Sequence, residues 1–257
     1  MRKEKLVLQC KGLAFQLQRW RRILVHHGSA VECPVCGSHF DAFGAGGCPC
    51  RSNAWCWRCG AAERHRLLWK YIAAKTDLFE PSPKRLLHFA PERGFYKAFC
   101  RMKHIAYVPC ELHPENYRPF VRNHPILKAD VMNIAFGDET FDVVLCNHVL
   151  EHIPDDRLAL RELYRVMKKG AWAILQVPVD YQRKTTYEDV AMDTPAKRAQ
   201  AFGQSDHVRR YGRDYADVLR SVGFDVTEDD FVTTLATEDV RRWALDISEI
   251  IYLCRKK

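Results

Sequence analysis

Two cysteine pairs near the start of the chain have the spacing of metal ligands. They are Cys33-Pro-Val-Cys36-Gly37 and Cys56-Trp-Arg-Cys59-Gly60, with nineteen residues between them. Each pair places two thiols on a tight turn, and the following glycine relaxes the backbone so that both sulfurs reach one tetrahedral ion. The predicted ligands of a structural Zn²⁺ ion are therefore Cys33, Cys36, Cys56 and Cys59.

Other chemistries are open to these thiols. A redox dithiol is the main alternative for one pair, and iron in a rubredoxin-like site is the alternative for all four, but two pairs at this spacing favour zinc. Four thiolates close the coordination sphere of zinc and leave no position for a substrate, which indicates a structural ion. Cys48-Pro49-Cys50 lies between the pairs. We expect free thiols there, with a replacement ligand or a second metal as the alternative.

Histidines and carboxylates form a second group in the C-terminal half. The segment His148-Val-Leu-Glu151-His152 matches the H-x-x-E-H pattern of some metalloproteases, in which two histidines four residues apart share a zinc ion. The segment follows an apolar run directly, however, which places it at the end of a strand. We therefore expect Asn147 and His148 to face a reaction centre and His152 to form internal hydrogen bonds.

A third polar segment, FGQSDHVRRYG at residues 202–212, is bracketed by glycines. His207 titrates near neutral pH and is the predicted general base, and Asp206 is placed to orient it. A solvated, charged loop is the alternative interpretation of this segment.

Composition limits the class of protein. With 257 residues and 47% hydrophobic residues, the chain can bury one full core and a small appendage. The eleven cysteines are odd in number and several are scattered through helices and strands, which favours a reducing cytoplasm. No run of eighteen apolar residues occurs, and the N-terminal residues lack a signal-peptide core. We therefore predict a cytoplasmic protein without a transmembrane segment.

The net charge of +8 favours an anionic partner such as RNA, a nucleotide-linked sugar or a membrane surface. Part of the positive charge lies on residues 12–27, where apolar residues recur at helical spacing. This segment is predicted to be a basic amphipathic helix that packs internally or in a homodimer. An interfacial membrane helix is the alternative.

The order of apolar runs predicts the fold. After Pro81-Ser82-Pro83, short apolar runs at residues 86–90, 105–110, 126–129, 141–146 and 171–177 alternate with helical segments such as 155–168. Runs that are apolar on both faces indicate a buried parallel sheet. A helix at 215–222 precedes runs at 224–232 and 247–254, which have no long crossover between them and predict a terminal antiparallel pair.

Two motifs in this region carry a family resemblance. FDVVLCNHVLEHIPD at residues 141–155 resembles the fourth-strand motif of class I S-adenosylmethionine-dependent methyltransferases, and LRELYRVMKKG at 160–170 resembles the helix and turn that introduce strand five. The cysteine pairs followed by Glu63-Arg64-His65-Arg66 resemble bacterial methyltransferases with a short cysteine-rich N-terminal module. The resemblance implies an α/β, Rossmann-like, seven-stranded, mostly parallel sheet with an antiparallel terminal strand, preceded by a small zinc ribbon.

The predicted domains are a basic helix at 1–30, the zinc ribbon with its connecting helix at 31–82, and a methyltransferase domain at 83–257. In an open α/β sheet the ligand lies beyond the carboxyl ends of the strands. Glu111, after strand two, is placed to bind the ribose hydroxyls of S-adenosylmethionine, and Asp130, after strand three, to accept the adenine amine. The predicted cofactor-binding residues are His88, Ala90, Glu92, Gly94, Glu111, Leu112, Asp130, Val131, Met132 and Asn147.

The first strand departs from the family pattern. His88 stands where most members carry an acid, Ala90 and Glu92 replace glycines, and Gly94 is retained. Glu92 is placed to receive the ammonium group of the donor, whereas Ala90 is small enough for close approach.

The resemblance implies methyl transfer from S-adenosylmethionine to oxygen or nitrogen of a small-molecule or glycan-type acceptor. The predicted base is His207 with His148 in reserve, and the predicted acceptor-binding residues are Arg209, Arg210 and Tyr181. One alternative is a zinc-ribbon RNA methyltransferase, a less favoured nucleic-acid partner whose bases would stack on Trp55, Trp57 and Arg58. The other is a non-enzymatic scaffold with a degenerate methyltransferase fold.

Overall fold

The computed structural model of the protein describes residue 18 and residues 20–47, 49–117, 121 and 124–257. These residues form two compact units. The first unit consists of the described part of Met1–Glu80 with Glu92–Arg101 and Asp230–Glu249, and the second of Pro81–Pro91, Met102–Asp229 and Ile250–Lys257. The predicted domain division at residues 30 and 82 stays a prediction.

The secondary structure alternates between strands and short helices. The strands are β1 His27–Cys33, β2 Ser38–Phe40, β3 Gly44–Gly46, β4 Arg51–Trp55, β5 Lys84–Phe89, β6 Ile105–Glu111, β7 Leu127–Lys128, β8 Phe141–Cys146, β9 Met167–Ile174, β10 Tyr187–Glu188, β11 Arg209–Arg210, β12 Asp225–Asp229 and β13 Ile251–Arg255. The helices are α1 Glu63–Lys75, α2 Arg93–Phe99, α3 Asp156–Val166, α4 Pro195–Phe202, α5 Tyr215–Arg220 and α6 Thr237–Arg242. Single 3₁₀ turns lie at Pro114–Tyr117, Leu150–His152 and Phe231–Thr234.

The predicted N-terminal helix is described only in part. Residues 18 and 20–25 are helical, and the chain enters β1 at His27. The remainder of the predicted helix, at residues 12–17 and at residue 19, lies outside the described residues. Within the described part of the chain, no helix is both long enough and apolar enough to cross a membrane.

The first unit is built on two small antiparallel hairpins, β1 with β2 and β3 with β4. The buried guanidinium of Arg66, in α1, joins the second hairpin to the C-terminal part of the unit. It donates to the carbonyl oxygens of Asn53, Ala54, Ala61, Trp243 and Ala244 at 2.6 to 3.0 Å. Burial lowers the pKa of this guanidinium, so five carbonyl acceptors are needed to offset its desolvation.

Two more residues of the Glu63-Arg64-His65-Arg66 motif also have structural contacts in this unit. Glu63 accepts a hydrogen bond from Arg51 Nε at 2.9 Å, and His65 Nδ1 accepts one from the Ala62 backbone N–H at 3.1 Å. The histidine thereby caps the first turn of α1. The motif that resembled methyltransferases with cysteine-rich modules therefore joins α1 to its surroundings in the first unit.

The second unit contains the predicted seven-stranded sheet. Its order is β12-β13-β9-β8-β5-β6-β7, in which β13 runs antiparallel to both of its neighbours and the remaining pairs are parallel. The predicted fold class is thus confirmed. The chain moves from β5 outward through β6 to β7, then returns to β8 on the opposite side of β5. This reversal opens a crevice beyond the carboxyl ends of β5 and β8.

Several element boundaries differ from those predicted. Strand β9 begins at Met167 rather than at residue 171, because α3 ends at Val166 and Gly170 adopts a left-handed backbone within the strand. Strand β7 is reduced to Leu127–Lys128, and both of its residues are exposed. Local sequence sets the start of α3 well, since the Asp155 side chain accepts a hydrogen bond from the Leu158 N–H at 2.8 Å.

Candidate functional site

A cavity of about 390 Å³ lies at the carboxyl edge of the sheet in the second unit. Residues that follow β5, β6, β7 and β8 form its wall, as expected where the strand order reverses. The lining residues are Phe89, Ala90, Glu111, Leu112, His113, Ala129, Asp130, Val131, His148, Val149, His152, Ile153 and Asp206. Five predicted cofactor residues and two predicted catalytic residues thus meet in one cavity.

Hydrogen bonds fix the Glu111 carboxylate at the end of β6. Its Oε1 accepts from the backbone N–H groups of Leu112 and His113 at 2.8 and 3.3 Å, and its Oε2 accepts from the Tyr117 hydroxyl at 3.0 Å. A carboxylate has about four lone-pair sites and three are occupied here, so one site remains on Oε2 for a ligand hydroxyl. A fixed carboxylate acceptor in this position fits a hydroxyl of a ribose.

Asp130 is held in a similar way. Its Oδ1 accepts from the Met132 backbone N–H at 2.8 Å, which leaves Oδ2 for a ligand donor. Val131, beside it, supplies an apolar wall to the cavity. An acceptor next to an apolar surface fits an aromatic amine such as adenine.

The turn after β5 is strained at Ala90. This residue has a φ of 47°, in the left-handed region that favours glycine, and its N–H donates to the Cys110 carbonyl oxygen at 3.0 Å. Ala90 lines the cavity, so the chain keeps the glycine-like conformation there with the smallest side chain that has a Cβ. The two carboxylate acceptors, Glu111 and Asp130, and this turn fit S-adenosylmethionine.

Three predicted cofactor residues of the second unit do not line the cavity. His88 is fully buried in β5, with Nδ1 at 3.0 Å from the Tyr107 hydroxyl of the neighbouring strand. Asn147 is 4% exposed, and Met132 packs against the hydrophobic core. His88 therefore forms a hydrogen bond within the sheet and does not line the cavity.

Glu92 and Gly94, also predicted to bind the cofactor, belong to the first unit. A Cβ at Gly94 would lie 3.1 Å from Val35 Cγ1 and 3.6 Å from Cys59 Sγ, so the glycine lets α2 approach the cysteine turns closely. Glu92 Oε1 lies 3.9 Å from His65 Nε2, and both side chains are largely buried. Sequence comparison with the family pattern had assigned Gly94 to the cofactor and missed this packing role.

A buried acid and three histidines form a cluster beside the cavity. Glu151 is 2% exposed, and its Oε1 lies 3.4 Å from His148 Nδ1 and 4.0 Å from His152 Nε2. The rings of His152 and His207 pack edge to face with their centres 4.8 Å apart. His148 has a left-handed backbone with φ of 55°, which is uncommon for a non-glycine residue and is typical of functional loops.

The predicted base His207 is 5% exposed and is not among the lining residues of the cavity. Burial lowers the pKa of its imidazole below the usual value, although the Glu151 carboxylate opposes that shift. His148 and His152 line the cavity instead. Of the two predicted bases, His148, the predicted reserve, therefore lies at the cavity and His207 does not line it.

Arg209 is buried and is used to fasten the loop. It donates to the carbonyl oxygens of Leu150, Ile153 and Pro154 and to the carboxylate of Glu188, which uses four of its five N–H donors. The Val208 N–H also donates to the Glu151 carbonyl oxygen at 2.9 Å. Arg209 thus holds the 202–212 segment against the loop after β8. Its N–H donors are used in that contact rather than in an acceptor site.

The two other predicted acceptor residues are exposed. Arg210 Nε lies 3.0 Å from Asp180 Oδ2, and Tyr181 is 42% exposed. Neither is among the residues that line the cavity. Their contact with an acceptor stays a prediction.

The four cysteines converge in the first unit as predicted. Sγ of Cys33 lies 3.5 Å from that of Cys59, and Sγ of Cys36 lies 3.7 Å from that of Cys56. A tetrahedral ion with metal–sulfur bonds of about 2.3 Å requires sulfur separations of about 3.8 Å. The Cys59 N–H points at Cys56 Sγ, at 3.5 Å, and Gly37 and Gly60 have φ of 65° and 78°. The donor set therefore fits Zn²⁺.

The intervening cysteines are described in part. Cys50 is exposed and is not a member of the cluster, whereas Cys48 lies outside the described residues.

Comparison with known proteins agrees with this geometry. Residues 94–175 match a family model described as a methyltransferase domain. A demethylmenaquinone methyltransferase of Streptomyces griseus is 35% identical over 141 residues, which cover 51% of this chain and 60% of that protein. A demethylmenaquinone methyltransferase of Streptomyces avermitilis is 37% identical over 112 residues, which cover 42% of this chain and 48% of that protein. The chain thus spans about half the length of these two curated relatives.

A solved structure supports the fold. The S-adenosylmethionine-dependent methyltransferase of Mesorhizobium loti has a TM-score of 0.50 at 14% identity, and the match covers 73% of this chain and 97% of that one. The strand order, the cavity at its carboxyl edge and these similarities lead to one conclusion. Residues 94–175 are similar to methyltransferase domains, and the sheet has the fold of the class I S-adenosylmethionine-dependent methyltransferases that the motifs of residues 141–155 and 160–170 resemble.

Proposed function

We propose that the protein transfers the methyl group of S-adenosylmethionine to an oxygen or nitrogen of a small-molecule or glycan-type acceptor. The observation that carries this proposal is the meeting of Glu111, Asp130 and His148 in one cavity at the reversal of strand order. Two of these residues suit the cofactor and the third suits an acceptor. The bound cofactor supplies a methyl group that its sulfonium charge already activates.

On the cofactor side, the chain supplies fixed acceptors. The carboxylate of Glu111 binds a ribose hydroxyl, and Asp130 accepts the adenine amine. Because backbone N–H groups already orient both carboxylates, little ordering is lost on binding. Ala90 keeps the turn after β5 open to a close approach by the ligand.

On the acceptor side, His148 orients the nucleophile and takes its proton. The adjacent Glu151 carboxylate, 3.4 Å from Nδ1, fixes the ring and favours the tautomer with a proton on Nδ1. Alignment of the attacking atom with the methyl carbon is the main task that remains for the protein.

In the first unit, we propose that Cys33, Cys36, Cys56 and Cys59 bind one structural Zn²⁺ ion. Its ligands are complete without substrate, so the ion stabilises the turns and takes no part in methyl transfer.

The test of cofactor binding is calorimetry with S-adenosylmethionine. Glu111→Ala removes the charged acceptor of a ribose hydroxyl and should weaken binding by about thirtyfold, equivalent to roughly 2 kcal/mol. Glu115→Ala is the matched control, because Glu115 is exposed and lies in the adjacent 3₁₀ turn. Unchanged affinity in Glu111→Ala would remove this residue from the cofactor site.

The names of the curated relatives suggest a first acceptor to assay. Demethylmenaquinone is named for both of the relatives described above, and it would take the methyl group on a ring carbon, so a quinone is the first compound to test beside the proposed oxygen and nitrogen acceptors. RNA is the second acceptor to test. Trp57, expected to stack on a base, instead packs parallel to His26 at 4.5 Å and donates Nε1–H to the Ala42 carbonyl oxygen.

A further inference from the structure

The Glu151 carboxylate is buried with little to offset its charge. Its Oε2 is inaccessible to solvent and has no hydrogen-bond partner among the described residues. Oε1 is 3.4 Å from His148 Nδ1 and 4.0 Å from His152 Nε2. An ionised carboxylate in such a place is costly unless a cation or full hydrogen bonding compensates it. The surroundings of Glu151 therefore suit a bound cation.

His152 is oriented like a metal ligand. Its Nδ1 lies 3.3 Å from the Asp206 carbonyl oxygen and 3.4 Å from Asp206 Oδ2, so an Nδ1–H donates there. The lone pair of Nε2 is then directed to the side of Glu151. Metal-bound histidines in proteins almost always donate the other ring N–H to a carbonyl or carboxylate in this way.

The separation of 4.0 Å between His152 Nε2 and Glu151 Oε1 points to the same conclusion. It is too long for a hydrogen bond. Two atoms that each bond to one ion at about 2.1 Å lie 3 to 4 Å apart, so a small inward movement would complete the geometry.

His207 supplies the third donor from a distant part of the chain. One ligand atom each from Glu151, His152 and His207 lie within 4.8 Å of one another. The Val208 N–H to Glu151 carbonyl bond and the contacts of Arg209 hold the two segments together. Two imidazoles and one carboxylate form a donor set that suits zinc and other divalent first-row ions.

We propose that Glu151, His152 and His207 bind one divalent first-row metal ion. Zn²⁺ fits this set of ligands, and its binding involves no redox chemistry. His152 lines the cavity, so an ion held by these residues would lie beside the space assigned to the acceptor. Three protein ligands with one open position are typical of catalytic zinc sites. An acceptor oxygen or nitrogen can be the fourth ligand, a role that rests on the proposed function.

The metal site is tested by titrating metal-free protein with Co²⁺ as a probe. The parent protein should bind two ions, one with intense thiolate-to-cobalt absorption from the four cysteines and one with the weak bands of nitrogen and oxygen ligands. His207→Gln and Glu151→Gln should each bind one ion and keep the thiolate absorption, which also reports that the first unit is folded. His104→Ala, a histidine of the second unit outside the cavity, is the matched control and should bind two.

Two results would overturn the site: a parent protein that binds Co²⁺ at the cysteines alone, or a second ion that persists in both glutamine variants. Zinc analysis after dialysis against Zn²⁺ should reproduce the stoichiometry of two in the parent and one in the variants. Calorimetry with S-adenosylmethionine separates this proposal from the proposed function. A protein that binds two ions but no cofactor retains the metal site and loses the methyltransferase assignment, and the reverse result does the opposite.

Discussion

The two clusters of side chains that we propose to bind metal differ in how the chain assembles them. The four thiols of the first unit come from two tight turns with nineteen residues between them, and each turn carries its own glycine. The second cluster joins the adjacent Glu151 and His152 to His207, which lies on another loop. The proposed first site has a complete set of four ligands, and the proposed second site has three ligands and one open position. A stabilising centre of the first kind can be assembled locally, whereas the proposed reactive centre combines loops that follow separate strands.

Each unit also uses one buried arginine to hold its loops. Arg66 donates to five backbone carbonyls in the first unit, and Arg209 donates to three carbonyls and Glu188 in the second. An arginine can do this because its five N–H donors are fixed in a plane. In both units the fastened loops bear the residues proposed to bind metal.

The largest effect should come from the closed cluster. Cys56→Ser should release the zinc ion and unfold the first unit, because structural zinc supplies about 10 kcal/mol or more of binding free energy. Metal analysis and thermal unfolding measure the two effects. Cys50→Ser, which alters an exposed thiol outside the cluster, should retain the ion and the parent stability. Iron in place of zinc in the parent would identify a rubredoxin-like site instead.

The buried arginine of the first unit should have the next largest effect. Arg66→Ala leaves five buried carbonyl oxygens without their donor and should lower the free energy of unfolding by about 3 to 5 kcal/mol. Chemical denaturation measures the change. Arg241→Ala, at an exposed position of α6, should change stability by less than about 0.5 kcal/mol. Equal stabilities for the two variants would contradict the role of Arg66.

The acceptor side of the second unit should show a smaller effect, confined to turnover. His148→Ala should leave cofactor binding nearly intact and reduce turnover by about 10²-fold, the usual scale for a positioned acid or base. Turnover with the acceptor found by screening and calorimetry with S-adenosylmethionine measure the two quantities. His104→Ala is the control. If His148→Ala stays within a few-fold of the parent, another group takes the proton.

Local signals predicted much of the fold. The alternation of apolar runs and helical segments gave the parallel sheet, and the run after residue 247 gave its antiparallel strand, because burial on both faces leaves a readable pattern. The boundaries were less well predicted. Residues 167–170 have the composition of a helix end, yet pairing with Phe141 draws Met167 into β9. Such pairing depends on a partner strand that local sequence does not specify.

The candidate site was predicted unevenly for the same reason. Glu111 is the last residue of β6 and Asp130 lies two residues after β7, so their place in the cavity could be predicted from the strand pattern. His88 and Gly94 were assigned by their position in a motif, but the Tyr107 hydroxyl and the cysteine turns explain them instead. The packing of Gly94 against the cysteine turns can be recognised only in the tertiary structure.

Residues close together in the chain were sufficient to predict the zinc-type cysteine pairs, the α/β class, and the carboxylates at the end of β6 and after β7. Tertiary structure decided the rest. It buried Arg209, brought His207 to Glu151 and His152, and placed His148 at the cavity. These contacts join loops after β8 and β9, and their energies depend on which backbone carbonyls and carboxylates meet once the sheet has formed.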